Sequence, residues 1–319
     1  MSTHAIERVA VLGTGMMGPG IAYCFASAGL RVTQFGRGED SLLRGRRSFD
    51  TIVAAMLQGG LLSEKEAGQA SNNLRGVTDM AAAVSGADLV VESVVEDLPT
   101  KQALFAELEG MVPETTIITS NTSGLPITRI SGQMKRPERT ATTHFWNPPH
   151  LVPLVEIVKG SRTSDETAEA LRELLTRIGK RPVVVRKDVP GQLGARILHA
   201  ITRECLAIVR DGVASAEEVD TAIKTGLGLR FPVYGPLEHA DLVGLDLTQA
   251  VASYLWQDLA DDKEPTSILR EKNSAGELGA KSGKGLYDWT KRDADEVKRN
   301  RDAFLMARLK DLYPPRPAK

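Results

Sequence analysis

The chain is expected to fold as an α/β protein: a doubly wound parallel sheet followed by an all-helical C-terminal domain. Three observations point there. Gly13-Thr-Gly15-Met-Met-Gly18 stands between a short apolar strand and an apolar helical run near the N-terminus. Such a glycine pattern says little alone and much in that setting. Strand-like and helix-like segments then alternate up to about residue 190. Beyond that point strand signals stop and helical periodicity continues. The expected domains are therefore 1–190, binding a dinucleotide, and 191–319, helical.

The first strand runs from Val9 to Leu12, and Ile21, Ala22, Cys24 and Phe25 follow the glycines at helical spacing. Gly13 makes the tight turn, Gly15 admits a pyrophosphate, and Gly18 allows close helix–strand contact. Met16 and Met17 share this loop, where free N–H groups at the helix start face phosphate charge. Gly29 to Phe35 is the second strand. Dinucleotide-binding folds usually carry Asp or Glu at its end, on the adenosine ribose. Here Gly36 and Arg37 stand in that place, which favours NADP slightly over NAD. The other reading leaves Arg37 in solvent and gives the ribose of NAD to Glu39 or Asp40.

Residues 40–75 read as a helical excursion, with Arg44, Arg46 and Arg47 on a solvated basic face. Ala87 to Ser93 reads as a buried parallel strand, and Lys101 to Leu108 as a helix with Leu104, Phe105 and Leu108 on one face. Thr115 to Thr119 is the next strand, ending in Ser120-Asn-Thr-Ser123. Small hydroxyl and amide side chains just past a strand's C-terminal end lie where open α/β sheets bind ligands; they also suit a plain turn. Glu96, Lys101 and Asn121 are the candidates for further cofactor contacts. Thr163-Ser-Asp-Glu166 has the form of a capping box for a helix closed by Gly179. Val183 to Val185 is a last strand, and Asp188-Val-Pro-Gly191 breaks the pattern. Ile197, Ile201, Cys205 and Ile208 form a helical stripe, Ser215 to Glu218 caps another helix, and glycine loops are expected at Gly226–Gly228 and Gly283–Gly285.

Between these blocks lies His144-Phe-Trp-Asn-Pro-Pro-His-Leu-Val-Pro-Leu-Val-Glu156, which reads as strand, turn, strand. A reversal near His150 puts His144 and Glu156 equally far from the turn, hence opposite each other, with Cβ atoms roughly 5 Å apart. A carboxylate beside an imidazole fixes its tautomer and favours its charged form, as a general base requires. A structural His–Glu pair closing a hairpin fits these residues equally well.

The bulk numbers narrow the class. At 319 residues the chain is long enough for two domains, and a formal net charge of −1 argues against nucleic acid or an anionic membrane as partner. Cys24 and Cys205 lie far apart within apolar helical patterns, so two buried thiols in a reducing cytoplasm are expected. No apolar run reaches membrane-spanning length, the N-terminus lacks a signal-peptide pattern, no internal repeat is evident, and no metal site is expected. The Pro-rich stretch from Tyr313 to Lys319 is expected to fray.

Taken in order, Gly13-x-Gly-x-x-Gly18, Ser120-Asn-Thr-Ser123, His144-Phe-Trp-Asn-Pro148, Leu154-Val-Glu156, Asp188-Val-Pro-Gly191, Gly235-Pro-Leu-Glu238 and Lys281-Ser-Gly-Lys-Gly-Leu-Tyr287 resemble the 3-hydroxyacyl-CoA dehydrogenase family over nearly the whole chain. The resemblance implies an NAD(P)-dependent dehydrogenase: a Rossmann-like doubly wound sheet whose hairpin strands are its antiparallel end strands, and a helical second domain that usually makes a homodimer. It implies His144 as the general base, Glu156 as its carboxylate partner, Ser123 as the hydroxyl on the reacting oxygen, and Asn147 lining the same site.

Two departures matter. The acyl-CoA members usually carry Asn before Arg after the Pro-Gly motif, and this chain has Ala195-Arg196. Their hairpin commonly reads Asn-Pro-Val-Pro-Val-Met-Lys-Leu-Val-Glu, whereas Pro148, Pro149 and Pro153 here look more like the small-substrate members, the L-gulonate 3-dehydrogenase-like and pyridoxine-breakdown dehydrogenase-like ones. A free carboxylate substrate needs a cation; Arg196 is the first candidate and Arg230 the second, while a structural salt bridge is the competing role for Arg196. The expected activity is hydride transfer between a nicotinamide cofactor and a small 3-hydroxy acid or related polar alcohol. The rivals are a short-chain 3-hydroxyacyl-CoA dehydrogenase, with Arg44 to Arg47 as its only basic cluster, and a non-catalytic NAD(P)-binding protein, for which the loss at Ala195 is the sole support.

Overall fold

The computed structural model describes residues 5–312; the Pro-rich stretch from Tyr313 on lies outside them. The chain runs β1 (Arg8–Leu12), α1 (Gly18–Ala26), β2 (Arg31–Phe35), α2 (Glu39–Gln58), α3 (Glu64–Asn72), β3 (Leu74–Val77), α4 (Met80–Val84), β4 (Leu89–Glu92), α5 (Leu98–Met111), β5 (Ile117–Ser120), α6 (Ile127–Ile130), β6 (Thr140–Phe145), β7 (Leu154–Val158), α7 (Asp165–Arg177) and β8 (Arg181–Val185). The strands form one sheet in the order β3-β2-β1-β4-β5-β6-β7-β8. The first six in sequence run parallel; β7 is antiparallel to β6, and β8 is parallel to β7. The doubly wound sheet therefore carries its antiparallel end strands where they were expected.

Helices cover both faces, so central strands such as Leu89-Val-Val-Glu92 are buried at every position. One core cluster holds Val9, Val11, Ile21, Phe25, Phe49, Phe145, Val155, Ile157, Leu171 and Leu175. The other holds Ala10, Leu12, Val90, Phe105, Leu108, Ile118, Ile127 and Ile130. Alternation along each strand divides them: Val9 and Val11 turn to one cluster, Ala10 and Leu12 to the other. The rings of Phe25 and Phe145 meet edge to face at 6.1 Å, joining α1 to the site strand; such a pair adds about 1 kcal/mol beyond its buried area.

After β8 the chain is helical: α8 (Gly194–Arg210), α9 (Ala216–Ala222), α10 (Gly228–Arg230), α11 (Pro236–Val243), α12 (Leu245–Leu255), α13 (Ser267–Ser274) and α14 (Ala294–Leu312). Contacts divide the molecule into one unit that runs to Ala195 and takes in the chain from Asn300, and a second unit, Arg196–Arg299. The sequence boundary assigned the whole C-terminal stretch to the helical domain. Instead Leu305, Met306 and Leu309 pack against the first core cluster, and a Cβ on Gly59 would lie 3.0 Å from Met306 Sδ.

Three local expectations need correction. Residues 40–75 are not wholly helical, because Leu74–Val77 pairs with β2 as an edge strand. The cap of α7 is Ser164, whose hydroxyl accepts from the Thr167 N–H; Thr163 instead accepts from the Gly160 N–H and donates to the Thr140 carbonyl. Gly226–Gly228 is not a loop: a π-helical turn over Ile223–Leu227 runs directly into α10. Among the described residues no helix is long and apolar enough to cross a membrane.

Candidate active site

The glycine loop joins β1 to α1. Gly13 has φ 130°, and a Cβ there would come within 2.4 Å of the Ser93 carbonyl oxygen. A Cβ on Gly18 would lie 2.1 Å from the Gly13 oxygen, so this glycine serves the turn itself more than the helix–strand contact. Gly15 is exposed, and a Cβ there would meet nothing. No protein neighbour requires that glycine, which leaves close approach by a ligand as its physical reason. The start of α1 has no side-chain cap. Met16 is 82% exposed, and Met17 is half-buried against the core.

At the end of β2, Gly36 has a steric cause unrelated to phosphate. A Cβ would lie 2.7 Å from Ser41 Oγ and 2.9 Å from a Leu42 methyl, both on α2. Arg37 beside it is exposed, and Glu39 and Asp40 open α2. Packing against α2 is thus a sufficient reason for the missing carboxylate, independent of any 2′-phosphate.

The strand ends of β4 and β5 form a polar network. Lys101, 1% exposed, donates to Glu92 Oε1 at 2.6 Å and lies 3.4 Å from Glu96 Oε2. The Ser120 hydroxyl donates to Glu92 Oε2 at 2.6 Å. Glu96 accepts from the Thr122 hydroxyl and from the Ser123 N–H, the latter at 3.1 Å, and so fixes the loop presenting the exposed Ser123 hydroxyl. Asn121 is buried; its side-chain oxygen accepts from the Phe145 N–H at 2.8 Å, tying this loop to the strand that bears His144. Gln192, held at φ 53°, donates to the Thr122 carbonyl at 2.9 Å and ties it to the start of α8.

His144 and Glu156 are register partners across β6 and β7. Phe145, Val155 and Ile157 turn into the first core, so alternation sends His144 and Glu156 to the other face. His144 Nδ1 lies 2.8 Å from Glu156 Oε2. The Trp146 indole N–H donates to that same oxygen at 2.9 Å. The Leu193 and Gly194 N–H groups, where α8 begins, donate to Oε1 at 2.9 and 2.8 Å. Glu156 is fully buried, which by itself would raise its pKa; the hydrogen bonds from His144, Gly194, Trp146 and Leu193 outweigh burial and hold it at about 2. The carboxylate is therefore an acceptor only, so Nδ1 carries the imidazole proton and Nε2 the lone pair.

Asn147 is exposed just past this strand, with its amide nitrogen 3.7 Å from Met16 Sδ in the glycine loop. Arg196 follows Ala195 in the first turn of α8, and Arg230 closes α10 in the second unit. The geometry brings His144 and Glu156 together directly, and links Asn121, Ser123 and Glu96 to them through backbone bonds. It gives no comparable link to Arg37 or Arg230. Sequence reasoning assigned no role to Glu92, Trp146, Gln192, Leu193 or Gly194. Glu92 had a signal, a lone charge closing the apolar run Leu89-Val-Val. The two backbone N–H donors had none.

The family model "3-hydroxyacyl-CoA dehydrogenase, NAD binding domain" matches residues 8–189, and the corresponding C-terminal domain model matches 191–289. The chain belongs to the 3-hydroxyacyl-CoA dehydrogenase family. It is thus a nicotinamide-dependent dehydrogenase whose first domain is an NAD-binding one. It is 35% identical over 302 residues to 5-formyl-3-hydroxy-2-methylpyridine 4-carboxylate 5-dehydrogenase of Mesorhizobium japonicum, covering 95% of this chain and 97% of that protein. It is 35% identical over 285 residues to a probable 3-hydroxybutyryl-CoA dehydrogenase of Bacillus subtilis, covering 89% of this chain and 98% of that protein. Among solved structures, a 5-formyl-3-hydroxy-2-methylpyridine 4-carboxylic acid 5-dehydrogenase, described as an NAD+ dependent dismutase, superposes with a TM-score of 0.88 at 35% identity, covering 98% of this chain and all of that one. The (S)-3-hydroxybutyryl-CoA dehydrogenase of Ralstonia eutropha gives 0.75 at 34% identity, covering 89% and 99%. The lean to NADP drawn from Gly36-Arg37 finds no support in these relatives, and the packing of Gly36 gives the missing carboxylate another cause.

Proposed function

We propose that the protein oxidises or reduces a small polar hydroxy acid, taken as the free acid, with NAD as cofactor and His144 as general base. The observation that carries this reading is the His144–Glu156 pair, in which a fully ionised, fully buried carboxylate holds Nδ1 and leaves Nε2 as the basic nitrogen. The glycine loop suits the cofactor: Gly13 needs a positive φ, and Gly15 leaves open backbone for phosphate. Bound NAD supplies the hydride acceptor. Nε2 of His144 takes the substrate hydroxyl proton, and Glu156 stabilises the resulting imidazolium. The Ser123 hydroxyl orients the reacting oxygen, and Asn147 lines the same pocket. Glu96 and Asn121 face the cofactor side, while buried Lys101 acts through Glu92 and Glu96, which it holds. Arg196 is the cation for a substrate carboxylate, with Arg230 second.

Likeness to a dehydrogenase of a pyridine carboxylate, over nearly the full length of both chains, supports the free acid. Leu237, Leu242, Leu245, Tyr254 and Trp256, all 63% to 84% exposed on the second unit, support a homodimer through that surface. Free Cys24 and Cys205 suit a cytoplasmic protein. The test is NADH formation or consumption with a panel of small hydroxy acids and their carbonyl partners, beside 3-hydroxybutyryl-CoA. Turnover of free acids with NAD supports the reading. Turnover of the thioester alone moves it to the second reading, which relatives acting on 3-hydroxybutyryl-CoA favour. Against that second reading, the basic cluster is partly committed, with Arg46 paired to Asp50 at 2.9 Å.

A further inference from the structure

Glu156 has four donors for its two oxygens, and each oxygen takes two. That fills the lone-pair sites of a carboxylate. Three of the donors have an evident origin: the imidazole is the base, and the two backbone N–H groups belong to the start of α8. The fourth, the indole N–H, needs an arrangement of its own. Trp146 directly follows β6, and its ring lies 6.1 Å from the His144 ring between centroids, tilted by 50°. It reaches Glu156 across Gly194, where a Cβ would lie only 2.3 Å from the indole carbon Cζ2. Gly194 thus donates its own N–H to one oxygen and leaves room for the ring that donates to the other.

We propose that Trp146 is a positioning residue for the base: its N–H holds Oε2 of Glu156 against His144 and shares that oxygen's charge. This rests on the dehydrogenase reading above. The bond belongs to the indole alone: a phenyl ring has no N–H to donate and, being smaller, leaves part of the seat beside Gly194 empty. The sharing has a chemical consequence. Two donors on one oxygen each receive less of its charge than a single donor would. With the indole bond gone, Oε2 turns its whole charge to His144 and favours the imidazolium, while the carboxylate gains freedom to swing away.

Two variants test this. In Trp146→Phe, kcat should fall about tenfold, the loss of one hydrogen bond to a charged group. KM for NAD should stay within about twofold, since the glycine loop is untouched. The acid limb of the pH–rate profile for alcohol oxidation should move to higher pH. Gly194→Ala keeps the indole but denies it its seat, and should move the limb in the same direction. A turnover-free readout is NMR titration of the His144 ring in labelled protein, which should show the same displacement. Wild-type kcat with an unmoved limb in Trp146→Phe overturns the proposal, as does a lower Tm with both limb and ring titration unmoved. If the unaltered protein turns over no free hydroxy acid, the free-acid reading fails, and the ring titration still decides whether Trp146 tunes the pair.

Discussion

Glu92 and Glu156 are both fully buried, and they keep company of opposite kinds. Glu92 faces a fixed cation, the Lys101 ammonium at 2.6 Å, with the Ser120 hydroxyl on its other oxygen. Glu156 has no permanent cation among its hydrogen-bond donors: two backbone N–H groups, an indole and an imidazole. A carboxylate neutralised by lysine has little attraction left for a further cation. One held by neutral dipoles keeps its net negative charge, spread over its donors, and so still attracts an imidazolium formed beside it. Burial of an acid does not by itself mark function. What compensates the charge does, and here it separates an ion-paired fixture between the ends of β4 and β5 from the proposed partner in proton transfer.

The sharpest way to break this contrast is at His144. In His144→Ala, turnover should fall about a thousandfold, within the range for loss of a general base, while NAD binding measured by calorimetry stays nearly unchanged. Near-normal turnover would return the pair to a structural role. Next comes Lys101→Met, which leaves Glu92 buried without its cation. It should cost about 3 kcal/mol in urea denaturation and leave the acid limb of the pH–rate profile where it was; movement of that limb would erase the distinction between the two acids. Glu156→Gln keeps the shape but places an amide NH2 against groups that are themselves donors. Turnover should drop about a hundredfold, with a stability loss of about 2 kcal/mol.

Acid titration sharpens the comparison further. Glu156 is held at about 2 against an ordinary 4.5, so its contribution is fully present above the ordinary value and disappears as pH falls from there through about 2. That contribution is roughly 3 kcal/mol. An earlier loss belongs to His150, which burial pushes down to about 4 from 6.5. Its neutral form suits the fold, so stability present above 6.5 falls as pH drops through 4. Chemical denaturation at stepped pH should show both windows, and Glu156→Gln should remove the lower one. The smallest effect is expected at exposed Arg37: Arg37→Ala should change KM for NAD by less than about twofold.

Much of the site was legible because it depends on counting. Twelve residues separate His144 from Glu156 with the prolines near the midpoint, and a strand's alternation does the rest. The glycine motif was legible for the same reason, as Gly13 and Gly18 meet a steric demand at fixed spacing. The clamp on Glu156 was not, because Leu193 and Gly194 act through their backbones, and every residue type but proline carries the same N–H. Leu74–Val77 was missed because an edge strand flanked by solvent carries little apolar pattern: Arg75 and Gly76 are exposed. Gly36-Arg37 was ambiguous because a missing carboxylate looks the same in sequence whether a phosphate or a neighbouring helix is its cause. The helical continuation through Gly226–Gly228 shows glycine tolerated where surrounding turns carry the helix.

The return of α14 bears on how the molecule is made. The first unit's polypeptide departs at Ala195 and resumes at Asn300, so the recess beside Met56 and Gly59 is closed by side chains that leave the ribosome only after every other helix. The nucleotide-binding half therefore folds early but finishes late. A shortened protein stopping where the family match stops, at residue 289, would leave that recess open to solvent and to neighbouring molecules.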